Sequence, residues 1–135
     1  MVDVKKINDI KISRNIEYAF FGRKGGVSKG AYESLNIGLE RGDNIEDVKE
    51  NLNIIAKYFG VNKILRVKQD HTNIVKVFKE DDKDITGMEG ANADFMPIAD
   101  AIVTNQRNVL ISTKSADCIP ALLFDEKNEI IACAH

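Results

Sequence analysis

The chain has 135 residues, 44% hydrophobic and 30% charged, a composition typical of folded proteins and sufficient for one core without disulfide staples. Its 19 basic and 21 acidic residues leave a net charge of -2, so no general attraction to nucleic acid polymers or to an anionic membrane is expected. No apolar run approaches the ~20 residues that span a bilayer, and the N-terminal MVDVKKINDIKISRN lacks an apolar stretch of signal-peptide length, so a cytoplasmic protein is expected.

In chain order, IEYAFFG (Ile16 to Gly22) is apolar and aromatic and reads as a buried strand. It runs into RKGGVSKGAYESLN, where Gly25, Gly26 and Gly30 mark a loop. The clearest helix follows. In GDNIEDVKENLNIIAKYFG, residues Ile45, Val48, Leu52, Ile55 and Phe59 recur at steps of three and four and form one apolar stripe. Asp43 reads as the N-cap with Glu46 three residues on, and Gly60 as the stop. KILRVKQDH and IVKVF read as two short strands around a turn that carries His71. The acidic stretch from Glu80 to Asp94 reads as a loop. AIVTN, VLISTKS, PALLFD and EIIACAH then read as four short strands, the last two joined as a hairpin through FDEKNEI. The expected architecture is a single α+β domain over 1–135, a mixed and largely antiparallel sheet with one amphipathic helix packed on it.

The residues able to bind a soft metal are few: His71, His135, Cys118 and Cys133. His71 in a turn, Cys118 just before Pro120 and His135 at a strand end can converge on one sheet edge. Three such donors would leave one position of a tetrahedral zinc open, the catalytic pattern. No CxxC or HExxH supports this, so the cysteines as small core residues, with His71 as a surface turn residue, stand as the other reading. By the two-residue strand period Cys133 shares a face with His135, and it reads foremost as a buried space-filler. GRKGGVSKG is either a plain turn or an anion cradle built from backbone amides with Arg23, Lys24 and Lys29. It is not a Walker A motif, because Ala31 stands where lysine is required. Asp100 and Asp117 are each placed to orient a ligand histidine or to satisfy turn backbone.

Taken in order, GRKGGVSKGAYESLNIG, the GD…V..N helix opening, Q-D-H at 69–71, ADAIVT, SADCIP and the final CAH resemble the multicopper polyphenol oxidase or laccase-domain family. That family is associated with purine nucleoside phosphorylase activity and with peptidoglycan editing. The resemblance runs from Ile16 to His135 and implies zinc held by His71, Cys118 and His135, with copper a poorer match. It implies phosphorolysis of adenosine, inosine or methylthioadenosine, with adenosine deamination as a second activity. Arg23 is then expected at the phosphate, Ser28 and Asn36 at the substrate, and Asp117 behind a ligand. The expected partners are a nucleoside and phosphate, with a complementing chain or a second copy of this one as further candidates. Tyr18 replaces a histidine common in the family, and Leu52 an arginine. Family chains continue past the third ligand for roughly another hundred residues, so the domain is expected to be incomplete and to expose apolar sheet. A Cys-His hydrolase using Cys118 as nucleophile with His71 or His135 as base, and an inactive fragment or half of a two-chain enzyme, stand as alternatives.

Overall fold

The computed structural model describes residues 1–5, 15–39, 41–80 and 96–135. In chain order the elements are β1 (Val4–Lys5), β2 (Phe20–Phe21), a 3-10 turn (Gly30–Tyr32), α1 (Ile45–Phe59), β3 (Lys63–Leu65), β4 (Val75–Phe78), β5 (Ala101–Thr104), β6 (Val109–Ile111), β7 (Ala121–Asp125) and β8 (Ile130–Ala134). The architecture is α+β, as expected. Among the described residues β1 pairs antiparallel with β2, β3 pairs parallel with β6, and a four-stranded sheet runs in the order β4-β5-β8-β7. In that sheet only the β4–β5 pairing is parallel.

Strand alternation makes the β3–β6 ribbon a middle layer, because successive side chains go to opposite faces. Ile64 packs with Val48, Leu52 and Ala56 of α1, and Leu110 joins that cluster. Leu65 packs the other way, with Val67, Phe78, Ala99, Ile102 and Cys133, and Val109 and Ile111 lie against them. One ribbon therefore links the helix to the four-stranded sheet.

The helix follows its sequence signals with two corrections. Its N-cap is Asn44, whose side chain accepts the Glu46 N–H at 2.8 Å, while Asp43 turns outward from the helix to hold Ser28 and Asn36. Ile45 begins the first turn beyond the packing surface and is 45% exposed, so the buried stripe is Val48, Leu52 and Ile55, with Asn51 and Ala56 beside them. Gly60 ends the helix in the left-handed region at φ 67, and its N–H bonds back to the Ala56 and Lys57 carbonyls. Among the described residues the expected strand over 16–22 is Phe20–Phe21, half-buried and paired with Val4 and Lys5 of β1. Phe21 also packs edge-on against Tyr58 and Phe59. The loop expected from Glu80 to Asp94 lies outside the described residues except for Glu80.

The β7–β8 hairpin forms as expected, closed by Asp125, whose carboxylate accepts from the Lys127 and Asn128 amides and the Asn128 side chain. Every residue of β7 is exposed, including Leu122, Leu123 and Phe124, which matches the expected uncovered apolar sheet. Among the described residues no helix is long and apolar enough to cross a membrane.

Candidate metal centre

Strand register brings the chemistry to one end of the four-stranded sheet. Val75 pairs with Ala101, and Ala101 and Ala121 both pair with Ala134. One step beyond each pairing lie Ile74, Asp100, Pro120 and His135. The backbone confirms this step: Asp100 N–H donates to the Ile74 carbonyl at 3.1 Å, and His135 N–H to the Asp100 carbonyl at 2.7 Å. The turn before β4 carries His71, and the segment before β7 carries Cys118. Three segments remote in sequence therefore meet around the start of β5.

Asp100 organises this meeting. Its carboxylate is buried and accepts the backbone N–H groups of Asp70, His71 and Thr72 at 3.2, 3.1 and 2.6 Å. It also accepts the Thr72 hydroxyl at 2.9 Å and bonds His135 Nδ1 at 2.8 Å. Burial alone would raise its pKa, but the donors from His135, Thr72 and Asp70 outweigh burial and hold the carboxyl well below the usual carboxylate range. An ionised carboxylate can only accept, so a proton sits on His135 Nδ1, which leaves Nε2 as the nitrogen that bears the lone pair in the neutral ring, the arrangement a metal-ligating imidazole needs. The 70–72 turn wraps three successive amides around this one anion, with His71 in the left-handed region at φ 55.

The His71 and His135 rings meet edge to face with centroids 4.9 Å apart. One donor atom from each of His71, Cys118 and His135 lies within 4.8 Å of the other two. Two imidazole nitrogens and a thiol are donors that zinc takes at about 2.0–2.3 Å, which places tetrahedral neighbours about 3–4 Å apart. The residues present thus fit a single metal ion by donor type, at separations of up to 4.8 Å. His71 and Cys118 are exposed and the His135 side chain is nearly buried, so the cluster opens to solvent on one side.

The remaining candidates lie elsewhere or act differently. Asp117 sits beside Cys118 in an exposed turn at φ 79, and the carboxylate that orients His135 is Asp100. Ser28 is buried and donates to Asp43 at 2.7 Å. Asn36 donates to the same oxygen at 2.8 Å, and Asn51 joins Ser28 to the Asn36 carbonyl. Three of the backbone amides available to an anion cradle are already in use. The N–H groups of Gly26, Val27 and Ser28 are committed to Ser34 Oγ, Asn51 Oδ1 and the Ser34 carbonyl. Gly26 is needed for this close approach, since a Cβ there would stand 2.1 Å from the Ser34 carbonyl oxygen. Arg23 is exposed at the start of the loop. Thr72, which shares the Asp100 carboxylate, had no signal in periodicity or motif, while Asn51, at the heart of the loop network, is the asparagine of the GD…V..N helix opening.

Cys133 fills the core, and burial pushes its thiol up to about 12. Iodoacetamide is expected to modify Cys118 in the native protein and to spare Cys133, and equal labelling of both by mass spectrometry would contradict this core. Because the folded value lies above the ordinary thiol value of 9.0, the stability tied to this thiol is fully present below pH 9 and falls as pH rises toward 12. The loss should approach about 1.4 kcal/mol per pH unit, and Cys133→Ala should abolish that slope in denaturant titrations.

A family model described as multi-copper polyphenol oxidoreductase laccase matches residues 17–135. A purine nucleoside phosphorylase of Corynebacterium glutamicum is 34% identical over 125 residues, covering 91% of this chain and 48% of that protein. The purine nucleoside phosphorylase YlmD of Bacillus subtilis is 30% identical, covering 91% of this chain and 44% of that one. Among solved structures, protein NMB0706 of Neisseria meningitidis superposes with a TM-score of 0.74 at 30% identity, over 99% of this chain and 49% of its own. YlmD from Geobacillus stearothermophilus gives 0.75 at 25% identity, over 84% and 42%. The chain spans about half the length of the curated relatives it matches. With a match over all but its first residues, the chain belongs to the multi-copper polyphenol oxidoreductase laccase family.

Proposed function

We propose that the protein is a zinc-dependent enzyme acting on purine nucleosides, cleaving adenosine, inosine or methylthioadenosine with phosphate and deaminating adenosine as a second activity. The observation that carries this reading is the convergence of His71, Cys118 and His135 within 4.8 Å, on a chain whose relatives bear the name purine nucleoside phosphorylase. Zinc bound by three protein donors supplies Lewis acidity at a coordination position those donors leave open. Asp100 holds the proton on His135 Nδ1 and so keeps Nε2 free for that role. The exposure of His71 and Cys118 gives a small substrate access to the cluster. Arg23 is the proposed phosphate contact, on a loop that Ser28 and Asn36 help to hold through Asp43. Copper fits less well, since two histidines and two cysteines in the whole sequence do not furnish ligands for several copper ions.

The test is phosphate-dependent release of hypoxanthine from inosine by purified protein, before and after chelation and zinc repletion. Release that needs both phosphate and zinc supports the reading; release indifferent to both contradicts it. The exposed thiol beside two imidazoles also favours a second reading, a Cys-His hydrolase with Cys118 as nucleophile. Turnover of an ester substrate by chelated protein, abolished by alkylating Cys118, would select that reading instead.

A further inference from the structure

His71 and His135 are tied together through Asp100, but Cys118 belongs to neither of their segments. It sits in an exposed turn after β6, and what holds it in place lies two residues before His71. The β3–β6 ladder ends at Leu65 and Ile111. Beyond it, the backbone of Lys68 leaves the ribbon to bond Pro97 and Ala99 instead. At that point the Gln69 side chain takes over the pairing. Its Nε2 donates to the Lys114 carbonyl at 2.8 Å, and its Oε1 accepts the Lys114 N–H at 2.7 Å and the Thr113 hydroxyl at 3.3 Å. One primary amide therefore grips both backbone groups of Lys114, in the way a neighbouring strand would. The next residue, Ser115, donates its hydroxyl to the Cys118 carbonyl and closes the turn.

We infer that Gln69 is a positioning residue for Cys118, clamping residues 113–114 so that the 115–118 turn presents the thiol to the two histidines. Its importance for ligation rests on the metal-centre reading; its effect on the order of the turn does not. The side-chain chemistry is specific. A donor and an acceptor on one planar group are both required, and glutamine at this length supplies them. A single residue thus sets the distance between the Cys118 segment and the His71 turn from which it projects.

The experiment compares wild type with Gln69→Met, which keeps volume without hydrogen bonds, and Gln69→Glu, which keeps only the acceptor. Each is titrated with Co2+ while the thiolate-to-cobalt charge-transfer band is recorded, and backbone 15N order parameters of residues 114–118 are measured without metal. Gln69→Met is expected to bind Co2+ about 10–100-fold more weakly with a reduced thiolate band. Its order parameters should fall from rigid values near ~0.85 toward ~0.6, with Gln69→Glu between it and wild type. A wild-type band and affinity in Gln69→Met overturn the inference, whatever the thermal midpoint does. Should Gln69→Met not fold, the same comparison is decided by Gln69→Glu. If wild type itself gives no thiolate band, the metal-centre reading fails. The order parameters then decide the clamp alone: loosening of 114–118 sustains it, and unchanged rigidity overturns it.

Discussion

Cys118→Ala is expected to leave the protein folded and to abolish stoichiometric zinc binding at micromolar metal. Cys118 is exposed, and the turn it closes is held through its backbone carbonyl by Ser115, a contact that alanine retains. Surface changes of this kind usually alter stability by within about 0.5 kcal/mol. In the proposed centre the thiolate is nevertheless one of three donors among the described residues, and losing a donor should exceed the 10–100-fold loss that follows from disturbing an outer-shell partner. Isothermal titration with zinc and a denaturant melt of the same sample separate the two effects. A variant that binds zinc as wild type does would remove Cys118 from the site, and with it the proposed chemistry.

Asp100→Ala is expected to do the reverse and damage the fold itself. The carboxylate satisfies three backbone amides, the Thr72 hydroxyl and the His135 ring, and its side chain is only 4% exposed. Leaving one buried donor without its acceptor costs about 1–3 kcal/mol, so losing several at once takes a large part of the 5–15 kcal/mol that typically holds a domain together. The thermal midpoint should fall by more than ~10 °C, and Asp100→Asn should lie between the variant and wild type. An unchanged melt for the alanine variant would mean that the 70–72 turn and His135 are held by something other than this carboxylate.

The contrast between these residues explains what was legible in the sequence. The helix was readable because Val48, Leu52 and Ile55 repeat at helical spacing and Gly60 stops it, which are local properties. The hairpin was readable from FDEKNEI for the same reason. Pairing was not, since the parallel partners β3–β6 and β4–β5 lie far apart in the chain and nothing local specifies them. The N-cap moved from Asp43 to Asn44 because Asp43 is claimed by Ser28 and Asn36, a long-range demand invisible in the motif. His71, Cys118 and His135 were nameable as a set, and what brings them together is the register that sets Asp100 opposite His135. Asp100 and Asp117 looked alike in sequence, both acidic beside small residues. Only the buried end of β5 distinguishes the one that meets a ring nitrogen. Gln69 carried no local signal beyond its place in Q-D-H, because its partners are the backbone atoms of Lys114.

The most direct test is X-ray absorption at the zinc edge on protein loaded with one equivalent of metal. A single sulfur scatterer at about 2.3 Å with two imidazole nitrogens at about 2.0–2.1 Å, the sulfur disappearing in Cys118→Ala, is the predicted result. A spectrum of oxygen and nitrogen neighbours alone, identical in wild type and Cys118→Ala, would contradict it.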